Sequence, residues 1–415
     1  MTWSRTIAIA ALAGCKISNV TFTGDDDIHV DAPPDTADLR DVTIRVYDGP
    51  FATGATHDAE LVGFRDGDGA WQALVGQDGV YHAHVDADRF GVAMGCTTPT
   101  SKTMRISERA LHEGPNVDLI RCSVNFFDST TSGHVTGLSQ NDIAVVAANL
   151  TATQVFGSGD GSWQLSTLGN TDMFATLVVG AVATSTIRRR DVTGGSTVDF
   201  DFVSEGKPVV TDSFTAHDAS GTVSTYLEAP NGYYPLAPFT SPNNLPPTSY
   251  QQLPAGMLGP DELYDVQYQG TNNRTASKLT RGGPVEVQLM PELSVPAPTL
   301  VNDPAPRVTW TLPPSAITSL PVVLYSMSAT TTDPFTLQSR TWSIDISEAW
   351  ARASATTSYA LPDLSEIDPT THVDYALLPH ASVTSFLQVY ETSSLVGVVG
   401  VDTHTASQVD TIPNP

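Results

Sequence analysis

Two histidines, His82 and His84, are separated by one residue in the alternating segment Val80-Tyr81-His82-Ala83-His84-Val85. On a strand, that spacing sets both imidazoles on one face, where zinc could be held with help from Asp86 and Asp88. No HExxH, no third nearby histidine and no cysteine pair at ligand spacing completes such a set. The polar face of an ordinary alternating strand has the same pattern, so no metal ligand is assigned. Asp66, Asp68 and Asp160 sit in Gly-Asp-Gly turns and invite calcium, but Asp-Gly is also what a tight hairpin needs. The run Asp25-Asp26-Asp27 has neither the glycine turn nor the bidentate glutamate of a calcium loop.

For nucleophilic catalysis there is no GxSxG elbow and no SxxK followed by KTG. Gly157-Ser158-Gly159-Asp160-Gly161 has the glycines of a phosphate loop but no lysine, and it leads into a strand pattern instead of a helix. Two carboxylates suffice for glycoside hydrolysis, and 45 acids leave that chemistry open without locating it. Tyr233, Tyr234 and Tyr250 crowd a Pro-rich stretch that could line a groove or could pack as a surface loop on a sheet edge. No catalytic, cofactor-binding or metal residue is assigned, and no cofactor is expected.

The elements that must carry these residues are strands. The 415 residues are 40% hydrophobic and only 16% charged, with 31 Gly and 29 Pro, a balance that disfavours long helices and coiled coils. The expected class is all-β, as tandem antiparallel β-sandwich modules, with length enough for three or four domains. Twenty basic against 45 acidic residues give a formal charge of -25, which excludes nucleic acid as a partner gripped by charge.

The chain opens with the basic start Met1-Thr2-Trp3-Ser4-Arg5, runs through the apolar Thr6 to Leu12 and reaches Ala13-Gly14-Cys15, an export signal too short to span a bilayer. Leu12-Ala13-Gly14-Cys15 resembles the lipobox of bacterial lipoproteins, in which the peptidase cuts before the cysteine and its sulfur carries a diacylglycerol. The resemblance implies a signal peptide over 1–14, lipidation of Cys15, membrane contact through that anchor, and residence in the bacterial cell envelope on the periplasmic face or the cell surface. Losing 1–14 removes Arg5 and no acid, leaving 19 basic against 45 acidic residues, or -26, so anionic headgroups repel the mature chain. Residues 15–38 are acidic, proline-bearing and aperiodic, and are expected to be a flexible tether. In an exported chain the remaining cysteines, Cys96 and Cys122, are expected to pair, closing a loop worth about 3 kcal/mol. The alternative is two reduced core cysteines.

Internal repeats organise the rest. Gly67-Asp68-Gly69-Ala70-Trp71-Gln72-Ala73-Leu74 matches Gly159-Asp160-Gly161-Ser162-Trp163-Gln164-Leu165, with tryptophans 92 positions apart. Ser132-Gly133-His134-Val135 matches Ser220-Gly221-Thr222-Val223 at a spacing of 88. Three segments close alike: Gly114-Pro115-Asn116-Val117-Asp118, Gly195-Ser196-Thr197-Val198-Asp199 and Gly283-Pro284-Val285-Glu286-Val287. The expected modules are 39–123, 124–204 and 205–293, the third divergent, with the Asp-Gly-Trp motifs forming hairpins. The second, with SGHVTGL, IAVVAA and GDGSWQL, resembles the carboxypeptidase regulatory-like, transthyretin-type β-sandwich.

The texture changes at Val295-Pro296-Ala297-Pro298, and 294–415 forms a fourth module. Arg307-Val308-Thr309-Trp310-Thr311-Leu312 looks like the second strand of a fibronectin type III domain. Thr357-Ser358-Tyr359-Ala360-Leu361-Pro362-Asp363-Leu364 resembles that family's Tyr-x-Leu-x-x-Leu corner, with a strand expected after it at Val373-Asp374-Tyr375-Ala376-Leu377-Leu378. Ser347 to Ala355 reads as a short helix with a serine cap. Four sandwiches on an acylated tether imply an extended envelope or surface protein that binds, adheres or scaffolds, with an envelope protein or polysaccharide as ligand. The alternative is a hydrolase of glycosidase, esterase or peptidase type, with its site in the irregular third module.

Overall fold

The structure, a computed structural model, describes residues 40–47, 55–120, 129–149, 151–167, 169–180, 182–217, 221–229, 232–240, 247–302, 306–313, 320, 322–365, 367, 375–393 and 401–413. The signal peptide, Cys15, the tether through residue 38 and Cys122 lie outside the described residues. Among the described residues no helix is long and apolar enough to cross a membrane.

Alternating and continuous apolar runs form strands almost throughout, and the fold is an all-β, sandwich-type one. The first unit holds β1 (Asp41–Tyr47), β2 (Leu61–Asp66), β3 (Gln72–Ala73), β4 (Val80–His84), β5 (Arg89–Thr97), β6 (Ser101–Ala110) and β7 (Asn116–Ile120). The second holds β8 (Ser129–Thr136), β9 (Ile143–Ala148), β10 (Thr151–Phe156), β11 (Ser162–Thr167), β12 (Asn170–Val179), β13 (Val182–Thr193), β14 (Phe200–Asp201) and β15 (Lys207–Pro208). The third holds β16 (Val210–Ala216), β17 (Gly221–Ala229), β18 (Gly232–Thr240), β19 (Ser249–Gln252), β20 (Leu263–Gly270), β21 (Arg274–Thr280) and β22 (Val285–Val287).

All three units order their strands alike. The fourth, first and seventh strands form one sheet, and the third, second, fifth and sixth run side by side in another. In each, the first strand pairs antiparallel with the fourth and parallel with the seventh. The three closing segments enter these parallel pairs, and Gly114, Gly195 and Gly283 ahead of them all have positive φ, at 115°, 79° and 89°, where a side chain would be strained. The third unit is therefore not divergent in topology.

The two longer sequence matches do not mark equivalent places. Gly67 to Trp71 joins the second strand to the third in a true hairpin, whereas Gly161 leads Trp163 into β11, which pairs with β8 across the sandwich from β10. Ser132 to Val135 lies in a first strand, whereas Gly221 to Val223 open a second. The structural counterparts of Trp163 are Tyr81 and Tyr250. Each stands two residues after a carbonyl that accepts from the first strand, in the bonds Val46 N to Gly79 O (2.9 Å), Val135 N to Gly161 O (2.8 Å) and Phe214 N to Thr248 O (2.9 Å).

The fourth unit holds β23 (Thr299–Asn302), β24 (Pro306–Thr311), β25 (Val322–Thr332), β26 (Ser339–Ser347), α1 (Glu348–Ala353), β27 (Ser358–Ala360), β28 (Val383–Thr392) and β29 (Asp402–Ile412). Its first, second and fifth strands form one sheet and its seventh, sixth, third and fourth the other, the fibronectin type III-like arrangement that Trp310 and Tyr359 implied. The Ser347 hydroxyl accepts from Trp350 N and caps α1. The strand expected at 373–378 does not form over its described residues: Tyr375 to Leu378 run irregularly, and the sixth strand is β28.

The four-stranded sheets of the third, fourth and first units are joined edge to edge into one sheet of twelve strands, ordered β18-β17-β20-β21-β29-β28-β25-β26-β6-β5-β2-β3. β21 pairs antiparallel with β29, and β26 pairs parallel with β6 from Ser339↔Ser101 to Ile346↔Glu108. The last unit in the chain thus sits between the third and the first, both of its sheet edges satisfied. These units are not the extended string that chain order suggested. The second unit docks on β18, where Phe174 packs on Tyr234 at 5.5 Å and joins the third unit's core.

Candidate binding site

The first unit's large sheet is buried on both faces, which is why β5 reads as the near-continuous apolar run Arg89 to Thr97. One face meets β1 and its neighbours; the other packs against Trp310, Tyr359, Ile367 and Tyr375 of the fourth unit. That second face is lined with glycine because those side chains press onto the backbone. A Cβ on Gly63 would stand 2.3 Å from Ile367 Cδ1, and one on Gly95 2.9 Å from Tyr375 Cζ. On Gly91 it would meet Glu108 Oε2 at 2.5 Å.

Glu108, on β6, is fully buried in this seam. Its Oε1 accepts from Arg65 at 2.5 Å and from the Tyr359 hydroxyl at 2.9 Å. Burial pushes the Glu108 carboxyl above the usual range against the pull of Arg65, and burial beside that carboxylate pushes the Tyr359 phenol well up. Burial alone would lower the Arg65 guanidinium, but Glu108 raises it and keeps it charged. Arg65 lies 5.0 Å over the Trp71 ring, and Arg89, paired with Asp68, lies 5.9 Å over Trp350. Glu108 Oε2, Arg65 Nε, Arg89 Nε and the indole N–H groups of Trp71 and Trp350 are buried with no hydrogen-bond partner. Such groups cost about 1–3 kcal/mol each when unmet, so their gathering marks the seam as a polar site in an apolar joint.

A cleft of about 280 Å³ opens beside them, lined by Arg65, Gly69, Ala70, Trp71, Pro362, Asp363 and Ser365. Hydrogen bonds from Ser365 and the nearby Arg307 hold the Asp363 carboxyl at about 2, so it is an acceptor at any ordinary pH. Guanidinium, carboxylate and hydroxyl beside the Pro362 ring and the indole make a small surface that is both hydrogen-bonding and apolar.

The residues singled out in the sequence have other partners. His82 and His84 do share an exposed face of β4, but His82 Nδ1 lies 3.3 Å from Thr43 Oγ1 and His84 Nδ1 2.8 Å from Asp41 Oδ1. The Asp41 hydrogen bond raises the His84 imidazole above its ordinary value. Asp66 accepts from the N–H groups of Asp86 and Ala87, both at 3.0 Å, and Asp160 from Ser162 N at 2.9 Å, so both serve turns. Among the described residues no group of three or more His, Cys, Asp or Glu side chains is arranged to hold a metal ion. Cys96 is buried and disulfide-bonded.

Two of the three tyrosines are core residues. Tyr233 and Tyr234 belong to the regular strand β18; Tyr234 and Tyr250 are fully buried in the core. Tyr233 stacks on Tyr226 at 4.8 Å and donates to Asp265 at 2.6 Å. Sequence reasoning missed Arg65, Glu108, Tyr359 and Asp363 as a set. Its one available signal was a charge at an inward position of each of two strands, Arg65 after Leu61-Val62-Gly63-Phe64 and Glu108 within Ile106-Ser107-Glu108.

No family model and no curated protein matches the chain. Among solved structures it is similar to the FN1–FN3 domains of chicken CNTN1, at 8% identity over 68% of this chain and 99% of that one, with a TM-score of 0.17. It is also similar to a Bacteroides uniformis protein whose name proposes carbohydrate binding, at 10% identity over 69% of this chain and 99% of that one, with a TM-score of 0.14. At these scores the fold assignment rests on the strand orders alone.

Proposed function

We propose that this is a lipid-anchored binding protein of the bacterial cell envelope, held to its membrane through Cys15, and that its seam cleft takes a sugar unit of an envelope polysaccharide. The observation that carries the ligand is the cleft of about 280 Å³ in which Arg65, Asp363 and Ser365 offer both donors and acceptors beside apolar rings. A chain of charge -25 favours a neutral glycan over an acidic one. The fused sheet supports this reading by making the cleft's two walls parts of one body. A hydrolytic site in the third unit lacks comparable support, since Tyr234 and Tyr250 are core residues.

Two measurements test the halves separately. Labelled fatty acid should enter the wild type and not Cys15→Ser, and only the wild type should partition with membranes; equal membrane recovery of both would discard the anchor. On an array of neutral and acidic glycans, the full chain carrying Cys15→Ser should bind neutral ones. Ser365→Trp, which fills the cleft from its half-buried rim, should abolish that binding with the melting temperature unchanged. Binding that survives the filled cleft would contradict the site.

A further inference from the structure

Asp265 is a buried carboxylate that no cation neutralises. It stands on β20 between the core residues Tyr264 and Val266, so strand alternation turns it to the opposite face of the long sheet, yet it is only 5% exposed. Its Oδ2 accepts from the Tyr233 hydroxyl at 2.6 Å and from Gln267 Nε2 at 2.8 Å, both neutral donors. Its Oδ1 is buried without a hydrogen-bond partner, and among the described residues no basic side chain pairs with either oxygen. A carboxylate taken out of water with so little compensation is costly to keep.

Its neighbours on that face are aromatic. Tyr226, its register partner on β17, and Tyr233 on β18 stack at 4.8 Å with an interplanar angle of 12°. Tyr390 joins them from β28 of the fourth unit, across the β21–β29 joint. Burial pushes all three phenols up, and the Asp265 charge adds to the rise in each, so its field reaches all three rings. Each of these tyrosines is half-buried and keeps part of its surface in solvent. The row of paired residues that runs beside them from the third unit into the fourth, Ser224, Gln267, Ser277, Thr403 and Thr392, carries no charge.

We infer that this face holds a quaternary ammonium group, packed on the Tyr226, Tyr233 and Tyr390 rings beside the Asp265 carboxylate. Ring faces are negative and attract a cation, and a phenol that donates to a carboxylate has a ring more negative still. The cation offsets the Asp265 charge without touching it. Because Oδ1 is sealed from solvent, it takes no hydrogen bond from a ligand. A primary ammonium would leave donors unmet there, whereas a fully alkylated one has none to satisfy. The inference is independent of the sugar cleft but needs the β21–β29 joint, since Tyr390 comes from the fourth unit.

Isothermal titration of the full chain carrying Cys15→Ser with choline should show saturable binding. Dimethylbutanol, the same shape with carbon in place of the charged nitrogen, should bind at least about tenfold more weakly. Asp265→Asn keeps an acceptor for the Tyr233 hydroxyl and removes the uncompensated charge, so it should hold or raise the melting temperature while weakening choline about tenfold, a loss that misfolding would not produce. It moves the formal charge only from -25 to -24, too little for a diffuse effect of that size. Tyr390→Leu should weaken choline by a similar factor. Phosphatidylcholine vesicles that compete with choline place the group on a lipid headgroup, and vesicles that do not compete place it on a soluble ligand. No saturable choline binding, equal binding of the neutral isostere, or binding unchanged by Asp265→Asn would overturn the inference.

Discussion

Replacing Arg188 with methionine should lower stability by about 3–5 kcal/mol, because it strands two buried carboxylates where the second unit meets the third. The Arg188, Asp172 and Glu262 side chains are 3%, 3% and 7% exposed. Arg188 Nε donates to Asp172 at 2.9 Å, and its terminal nitrogens reach Glu262 at 2.5 and 2.7 Å and Met257 O at 2.5 Å. Burial alone would raise Glu262, but Arg188 and the Gly259 N–H hold it below its ordinary value of 4.5. A carboxyl with a lowered folded pKa adds stability that is complete above the unfolded value and is lost as pH falls through the folded one. Without Arg188 the sign reverses, since burial then favours the protonated form of Glu262 and the variant gains stability as pH falls toward 5. Urea unfolding at pH 7 and pH 5 should show the deficit shrinking at the lower pH. An equal deficit at both would mean the carboxylates find other partners.

Trp71→Ala and Trp163→Ala should each cost about 3–5 kcal/mol, and they should loosen different parts of the molecule. Trp163 is 5% exposed within the second unit's own core, 5.9 Å from Phe200. Trp71, equally buried, belongs to the cluster that the first unit shares with the fourth. Amide exchange should rise in β8 and β11 for Trp163→Ala, and in β2, β6 and β26 for Trp71→Ala. The same exchange pattern in both variants would mean that the two tryptophans do one job in two repeats, which their strand positions deny.

Those positions show how far the sequence could be read. The Gly-Asp-Gly-Xaa-Trp match was real as turn chemistry and misleading as alignment. Asp-Gly supplies a positive φ wherever a chain turns sharply, at Gly67 (54°) and at Gly161 (79°), whichever strands it connects. The closing segments were the dependable repeat, because there a glycine conformation is tied to a parallel pairing that each unit needs. The second unit's first strand shows how tight it is: a Cβ on Gly133 would lie 1.8 Å from Val198 O. The serine-capped helix was legible because its signal is local. The fused sheet was not, because β26 and β6 are more than two hundred residues apart and nothing in either names the other. The seam's chemistry shared that fate, since Arg65, Glu108, Tyr359 and Asp363 become neighbours only once the sheet is joined. The continuous apolar run of β5, with glycines at 91 and 95, was the one trace of a sheet buried on both faces.

The central claim is that the fourth unit joins the first and third into one body through β26–β6 and β21–β29. Hydrogen exchange on the full chain measures this directly, because an amide bonded across a joint exchanges with the body and an edge amide exchanges with solvent. The account predicts that the β26 and β6 amides aimed at each other, and those of β29 and β21, exchange as slowly as amides between β25 and β28 inside the fourth unit. If these amides instead exchange as fast as those of the exposed edge strand β3, the units are separate, and the seam cleft is not a site of the folded protein.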